Sequence, residues 1–541
     1  MVNICLLLVV FAEVVDYSKV IEVSKETTVI TEPLAEDGLP DYEAYVLKKG
    51  FEGVTPENNA AVLLWEVLWP EGVEERYRDG MRAALKLSPH IDETPKLIRP
   101  NDESLRQKVS EWLVNSYSAH LQDPSRKDEV AAVLQDNPYL VQDIIESTRS
   151  RVWTSKDLPI LAEWIADNEK QFELIVEASR RLKYYSPPPN FISLEEAGLL
   201  QALLPLDQNM RHVARSLATR SMWHIGEGRA WQAWDDMLAC YRLANLIGDG
   251  SCLMQRMVAF AVAGVADNVT IAALHHGSLT QEQCRKVLLS LQSMPPFPSM
   301  VNAFDHFERL SYADAVLAMA TGRNNAMTTK GEDIVDRVDW NVALREGNEF
   351  FDRTVSAERI FKRIERVKAF KEIEQEIASR SSEAKSFSSG IAGMFSHAQR
   401  SKTMSSIMLS GIFPSLRQAL VAEERGTTLR RLTVMAAALA VFRAEHSSYP
   451  ETLQELSPDI LSKLPVDLYS DRPFIYRRKE EGYLLYSVYE NGEDDNGTDF
   501  GGEIVDGEWA GEIQDIDPDK ADLVIRMPLP PFKIPELVFD E

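Results

Sequence analysis

The stretch 257–274, MVAFAVAGVADNVTIAAL, leaves this chain the least freedom. It continues one helical pattern that is apolar on nearly every side, and such a helix belongs in a core or a membrane. Arg256, Asp267 and Asn268 interrupt it, which disfavours a bilayer span. The pattern therefore points to a buried central helix over 252–275, with other helices packed around it.

The neighbouring sequence supplies such helices. Over 207–247 one helical pattern runs to Ile225, the glycines of Gly226-Glu227-Gly228-Arg229 turn the chain, and a second runs from Ala230 to Ile247. Ala214, Leu217, Ala218 and Met222 are expected to face Ala233, Met237, Tyr241 and Ala244, because small residues at helical spacing let two helices approach closely. Gly228, Ala233 and Tyr241 resemble the second-helix pattern of a tetratricopeptide hairpin, over about one repeat and with no convincing copies at the ~34-residue period of an array. Thr55-Pro56-Glu57 reads as a cap opening a helix over 58–69. Further helices are expected over 74–86, 104–121, 127–148 and 158–181, and Thr280 is placed to cap one over 280–293. Tyr184 to Pro189 (YYSPPP) reads as a stiff connector.

Composition narrows the function classes. Among 541 residues, 84 are acidic and 58 basic, a formal charge of −26. Such a surface repels phosphate backbones and anionic headgroups, and no Lys/Arg cluster interleaved with aromatics stands out as a nucleic-acid face. Nucleic acid is excluded as a partner, and another protein is expected. Cys5, Cys240, Cys252 and Cys284 form no C-x-x-C pair, so neither a zinc ribbon nor a thioredoxin-type site is indicated. A Cys240–Cys252 bridge stays open for an exported chain.

At the N-terminus, the nine apolar residues 4–12 (ICLLLVVFA) are followed by Glu13 and have no Lys or Arg before them. Two readings stand: the end of a membrane anchor or export signal that starts upstream, or a buried first strand or short helix. Residues 17–40 read as a short extended segment. Over 352–378, Ile360, Ile364, Val367, Phe370, Ile373 and Ile377 recur amid dense charge, which predicts an amphipathic helix, either an exposed arm or a coiled-coil seam. The Ser-, Ala- and Gly-rich segment 379–403 reads as a linker.

The most specific pattern begins at Thr427. A helix over 427–445, carrying Leu432, Met435, Ala436, Leu439 and Phe442 on one face, is expected to end before Tyr449-Pro450. Before it, 404–421 is broken by Pro414. Then come Leu464-Pro465-Val466-Asp467, Pro473-Phe474-Ile475-Tyr476-Arg477, Gly482-Tyr483 and Tyr486-Ser487-Val488, whose alternation predicts an antiparallel hairpin. These motifs, spanning about 427–525, resemble the globular domain of type II secretion major pseudopilins. The whole chain also resembles large proteins of planctomycete-type bacteria that join a helical body to this ending, a likeness that carries no activity. The pseudopilin resemblance implies a helix followed by a small antiparallel sheet, and a calcium ion in the final loop. The matching loop here, 491–499, offers Asp494, Asp495, Asn496 and Asp499, with Asp522 approaching from the last strand. Clustered carboxylates beside glycines suit a hard cation that takes six to eight oxygen ligands, although a solvated acidic turn has the same composition.

No G-x-S-x-G elbow, H-E-x-x-H helix, Walker A loop or G-x-G-x-x-G fingerprint occurs. His275-His276 stand before Gly277, where an imidazole meets a helix C-terminus favourably. Glu195-Glu196 and Asp235-Asp236 are adjacent in sequence, so their side chains diverge on a helix, and exposed charge accounts for them.

The expected fold class is mainly α, a multi-helical body with helical hairpins, plus a small C-terminal α+β pseudopilin-like module. The expected division is 1–39 (anchor or extended segment), 40–326 (helical domain), 327–403 (charged helix and linker) and 404–541 (C-terminal module). The function expected is that of a non-enzymatic scaffold or binding protein of the cell envelope, anchored or exported through its N-terminus. A cytoplasmic helical-hairpin adaptor and an enzyme without a recognisable motif are the alternatives.

Overall fold

The computed structural model describes residues 17, 20–120, 127–193, 198–276, 278–323, 338–387, 397–498, 504–505, 508–509 and 521–535. Cys5, the apolar run 4–12, the Glu195-Glu196 pair and Asp499 lie outside them. The chain is mainly helical, with a small three-stranded antiparallel sheet near its C-terminus. It divides into two compact units, each assembled from separated stretches of sequence. One takes residues 1–53, 187–203 and 301–417; the other takes 54–186, 204–300 and 418–541. The Tyr-Ser-Pro-Pro-Pro segment lies at one of these changeovers, and its three prolines are buried.

In the first unit the helix Trp340–Glu358 is the hub. Asp339 caps it, its carboxylate accepting from the amides of Asn341 and Val342. Phe350 and Phe351 are buried on its inner face, and Phe350 meets Phe413 edge-on at 6.2 Å. The Tyr312 hydroxyl donates to the carbonyl of Ala343 at 2.9 Å and lies 2.8 Å from the Ser405 hydroxyl. The opening segment is held to the same helix: the Asn348 amide donates to the carbonyls of Glu26 and Thr27, both at 2.9 Å. The amphipathic pattern over 352–378 resolves into two helices, Trp340–Glu358 and Arg363–Phe387, with a corner at 359–362.

The Ser-, Ala- and Gly-rich segment 379–403 is helical wherever it is described, within Arg363–Phe387 and His397–His446. Alanine, lysine and glutamate are good helix formers, and serine costs only about half a kcal/mol against them. Ser401 is fully buried, its hydroxyl accepting from the Asp339 amide at 2.8 Å. Pro414 does not break the segment 404–421; the helix runs through it as one element of 50 residues. A proline in a helix loses one hydrogen bond and crowds the preceding turn. Here Leu409, Phe413, Leu416 and Ala419 are buried on both sides of it, and that packing outweighs the local cost.

The second unit is built around the hairpin and the central helix. Pro205–Gly226 and Ala230–Gly248 pack on each other and on Leu253–His275. All eight residues expected at the hairpin seam are buried. Gly226 is required where the chain turns, because a Cβ there would collide with the carbonyl of Trp153. The helix Leu253–His275 is long and apolar enough to cross a membrane, but 72% of its most apolar window is buried inside the protein. Thr280 caps Gln281–Ser293 with a reciprocal capping box, as the sequence indicates. Thr55 closes a turn and not the helix itself, its hydroxyl accepting from the Asn58 amide at 3.4 Å; Asn59 caps the helix Ala60–Leu68, its side chain accepting from the Ala61 amide.

Two expectations about side chains are corrected. Cys240, Cys252 and Cys284 are buried free thiols, so no Cys240–Cys252 bridge exists. Asp236 is not exposed charge. It is buried, and Arg220 grips it with two hydrogen bonds of 3.0 and 2.5 Å. The Arg220 guanidinium also lies 4.2 Å from the centre of the Phe172 ring. Adjacent carboxylates on a helix do diverge, and here only Asp235 reaches solvent while Asp236 turns inward.

Removing one member of a buried ion pair leaves the other charged and unpaired, at a cost of about 3–5 kcal/mol. Asp236→Ala is therefore expected to lower the urea midpoint steeply, and the double variant Arg220→Met/Asp236→Leu to recover most of the loss. Equal midpoints for the single and double variants contradict this account.

Candidate functional site

The C-terminal sheet is assembled by an aspartate. The strands Ile475–Arg478, Tyr483–Ser487 and Leu523–Met527 pair antiparallel, with Tyr483–Ser487 in the middle. Every residue of that middle strand is buried, as expected of a strand covered on both faces. Asp467 is buried in the turn that precedes the sheet. One of its carboxylate oxygens accepts from the Tyr469 amide and the Ser487 hydroxyl, at 3.0 and 2.7 Å. The other accepts from the Ser470 hydroxyl and the Val488 amide, at 3.0 and 3.3 Å. A single side chain thus fastens the Leu-Pro-Val-Asp turn to the end of the middle strand.

The acidic loop follows that strand directly. Gly492, Asn496 and Gly497 all have positive φ, so it curls tightly. The loop closes on Asp522, which is fully buried at the start of the last strand. The amide of Gly497 donates to Asp522 Oδ2 at 2.7 Å, and the amide of Asp522 donates to the Thr498 carbonyl at 2.8 Å. Among the described residues, Asp522 Oδ1 is buried without a hydrogen-bond partner. Burial pushes the Asp522 carboxyl up to about 6, with the charges of Asp495 and Asp494 adding to the effect and the amides of Gly497 and Asp495 opposing it.

The other sequence candidates turn elsewhere. Asp494 accepts from the Tyr486 hydroxyl at 2.8 Å and from the Asn496 amide at 2.9 Å. Asp495 accepts from the Asn491 side chain at 2.7 Å. Asn496 accepts from Arg477 at 3.3 Å. Asp499 lies outside the described residues. Among the described residues, no group of three or more His, Cys, Asp or Glu converges as a metal would require. The donor chemistry suits a hard cation and one buried oxygen is left over for it, but the ligands are not gathered.

A second polar cluster escaped the sequence reading. His275, the last residue of the central helix, is held between two tyrosines of the C-terminal region. Its Nδ1 lies 2.7 Å from the Tyr449 hydroxyl and its Nε2 lies 2.7 Å from that of Tyr483. Desolvation, helped by the nearby Arg443 charge, brings the His275 pKa down to about 3. The ring is therefore neutral near pH 7, with one nitrogen donating and the other accepting. Arg443 donates to the Tyr449 oxygen at 3.1 Å, which leaves the Tyr449 hydroxyl free to donate to Nδ1. Nε2–H then donates to Tyr483. The Tyr-Pro motif and the middle strand are in this way keyed to the end of the central helix. Spacing at the helix terminus gave no hint of partners some 170 and 210 residues away.

Two other features complete the inventory of this unit. Asp207 is fully buried and accepts from Tyr184 at 2.9 Å and Gln255 at 3.1 Å, while its second oxygen has no partner among the described residues. Burial lifts its carboxyl to about 6. A shallow groove of about 540 Å³ is lined by Trp69, Pro70, Glu71, Arg78 and Lys96 among others. Its Lys96 ammonium is already committed to the carbonyls of Glu66 and Ile91.

No protein-family model, curated protein or solved structure matches this chain.

His275 and Asp207 imply opposite pH dependences. His275 falls from an ordinary 6.5 to about 3 on folding, so between those values the unfolded chain binds more protons. Its contribution is present above pH ~6.5 and is lost as the pH drops. Asp207 rises from 3.8 to about 6, so its contribution is present below pH ~4 and is lost as the pH climbs through ~6. Melting temperatures taken from about pH 4 to about pH 7 are expected to show a shallower acid-side decline in His275→Gln, with His224, also brought down to about 3, supplying the remainder, and to gain neutral-side stability in Asp207→Asn. Profiles parallel to wild type in both variants contradict these assignments.

Proposed function

We propose that this chain is a non-catalytic scaffold or binding protein of the cell envelope. In this reading its C-terminal helix and sheet form a pseudopilin-like module that calcium locks. What supports the reading first is the local order of parts: a long helix, a Tyr-Pro turn, a Leu-Pro-Val-Asp turn, an antiparallel hairpin, an acidic loop and a last strand. This is the order that the sequence resemblance implies. The observation that carries the reading is Asp522, whose buried Oδ1 has no partner among the described residues while the loop bearing Asp494 and Asp495 closes on it through the Gly497 amide. A buried carboxylate oxygen left unsatisfied is costly, and a calcium ion would neutralise it while drawing the neighbouring carboxylates inward. Asp499 would add a further ligand. In this role the ion does no chemistry and serves only to fix the loop.

A ligand present at about a hundred times its dissociation constant adds about 2.7 kcal/mol to stability. Millimolar calcium is expected to raise the melting temperature of the protein by several degrees, and a chelator to reverse it. Asp522→Ala should abolish the shift. An unchanged melting curve with calcium and with chelator removes calcium from the proposal. The envelope assignment is tested separately, by fractionating cells and probing a C-terminal tag with protease. A tag recovered entirely with the cytosol overturns it in favour of the cytoplasmic adaptor.

A further inference from the structure

The corner between Trp340–Glu358 and Arg363–Phe387 exposes an unusual set of side chains. Phe361 is 96% exposed, Ile364 79% and Val367 44%. They recur every third residue, so they share one side of the corner and the first turns of the helix that follows. Phe370, Ile373 and Ile377 are buried on the inner face of the same helix, and Val367, one turn before Phe370, marks its margin, while Phe361 and Ile364 stand clear of it. Phe370 lies 6.4 Å from Phe413, and Arg353 pairs with Glu376 at 2.7 Å, so that inner face is already committed. The corner itself is braced, with Arg366 donating to the Ile360 carbonyl at 3.2 Å.

The charge around this apolar patch is opposite to that of the chain. Between 358 and 372 stand Arg359, Lys362, Arg363, Arg366, Lys368 and Lys371 against Glu358, Glu365 and Glu372, a local excess of three positive charges; Lys362 and Lys368 sit 3.5 and 3.9 Å from Glu365 and Glu372 in exposed pairs that leave the lysines in reach of solvent. The protein as a whole carries −26, which by itself would keep it away from an anionic surface. Screening decides which charge such a surface meets: the Debye length is roughly 8 Å at physiological ionic strength, so acidic groups farther from the contact hardly act. Exposed apolar side chains ringed by lysine and arginine match the two layers of an anionic bilayer, acyl chains below and headgroups above.

We propose that the 359–371 corner is a contact site for anionic lipid membranes, with Phe361, Ile364 and Val367 entering the interface and Lys362, Lys368 and Lys371 meeting the headgroups. The site gives the protein a membrane contact separate from its N-terminus and does not depend on the calcium reading.

The test is sedimentation of the full chain with vesicles of phosphatidylglycerol and phosphatidylcholine, or of phosphatidylcholine alone. Binding is expected only with the anionic vesicles, and it should weaken as salt rises from about 50 to about 300 mM. Phe361→Ser/Ile364→Ser and Lys368→Glu/Lys371→Glu should each bind at least about tenfold more weakly. Both pairs change exposed residues, so their melting curves should match wild type. Failure to bind anionic vesicles overturns the proposal, as does equal binding by wild type and variants. A mass measurement in solution distinguishes the competing occupant: if the wild type is a dimer that the Phe361 variant splits, and vesicles are ignored, the patch is an interface between copies of this chain.

Discussion

A buried carboxylate in the middle of the most apolar helix is the constraint around which the larger unit is arranged. Asp267 is almost inaccessible to water, and burial raises its carboxyl. It is tolerable only because Tyr241 donates to it at 2.7 Å and Arg430 at 3.1 Å. Those partners come from Ala230–Gly248 and His397–His446, so one charge fixes how three helices meet. Arg430 also lies 4.3 Å from the centre of the Tyr241 ring. The close approach that this needs is visible at Gly426, where a Cβ would press on the Phe260 ring.

The same logic recurs wherever polarity enters the core. Arg256 spends its guanidinium on the carbonyls of Ser299 and Gly250. Arg220 is matched to Asp236, and His275 is suspended between two hydroxyls. Each of these groups finds partners on elements distant in sequence or across a turn, which specifies one arrangement of helices more sharply than apolar packing alone. Among the described residues, Asp207, Asp267 and Asp522 each keep one buried oxygen without such a partner. Asp522 differs in that two further carboxylates, Asp494 and Asp495, stand close enough to raise it.

Much of the architecture was legible from local rules. Periodicity located the hairpin and the central helix, and alternation located the first two strands to within a residue or two. The cap at Thr280 was visible because its chemistry is local, a hydroxyl and a glutamine three residues apart. Helix ends inside long apolar patterns were less legible. The pattern over 127–148 breaks at Asn137-Pro138 and that over 158–181 breaks at Asn168, where the apolar rhythm carries on across the break. The sequence placed Asp522 next to the last strand and near the acidic loop, but the Tyr486 and Arg477 contacts that turn Asp494 aside could not be read from the loop.

The sequence by itself determined that this chain is mainly helical, that residues 252–275 must be enclosed, and that a small sheet closes the C-terminal part. Those outcomes follow from apolar spacing along a single strand of sequence, and each segment carries its own share. The tertiary structure alone decided that the helix passes through Pro414, that Asp236 turns inward, and that His275 is bound by Tyr449 and Tyr483. In each case the deciding energy comes from burial or from a partner far along the chain. A pattern confined to neighbouring residues has no access to either.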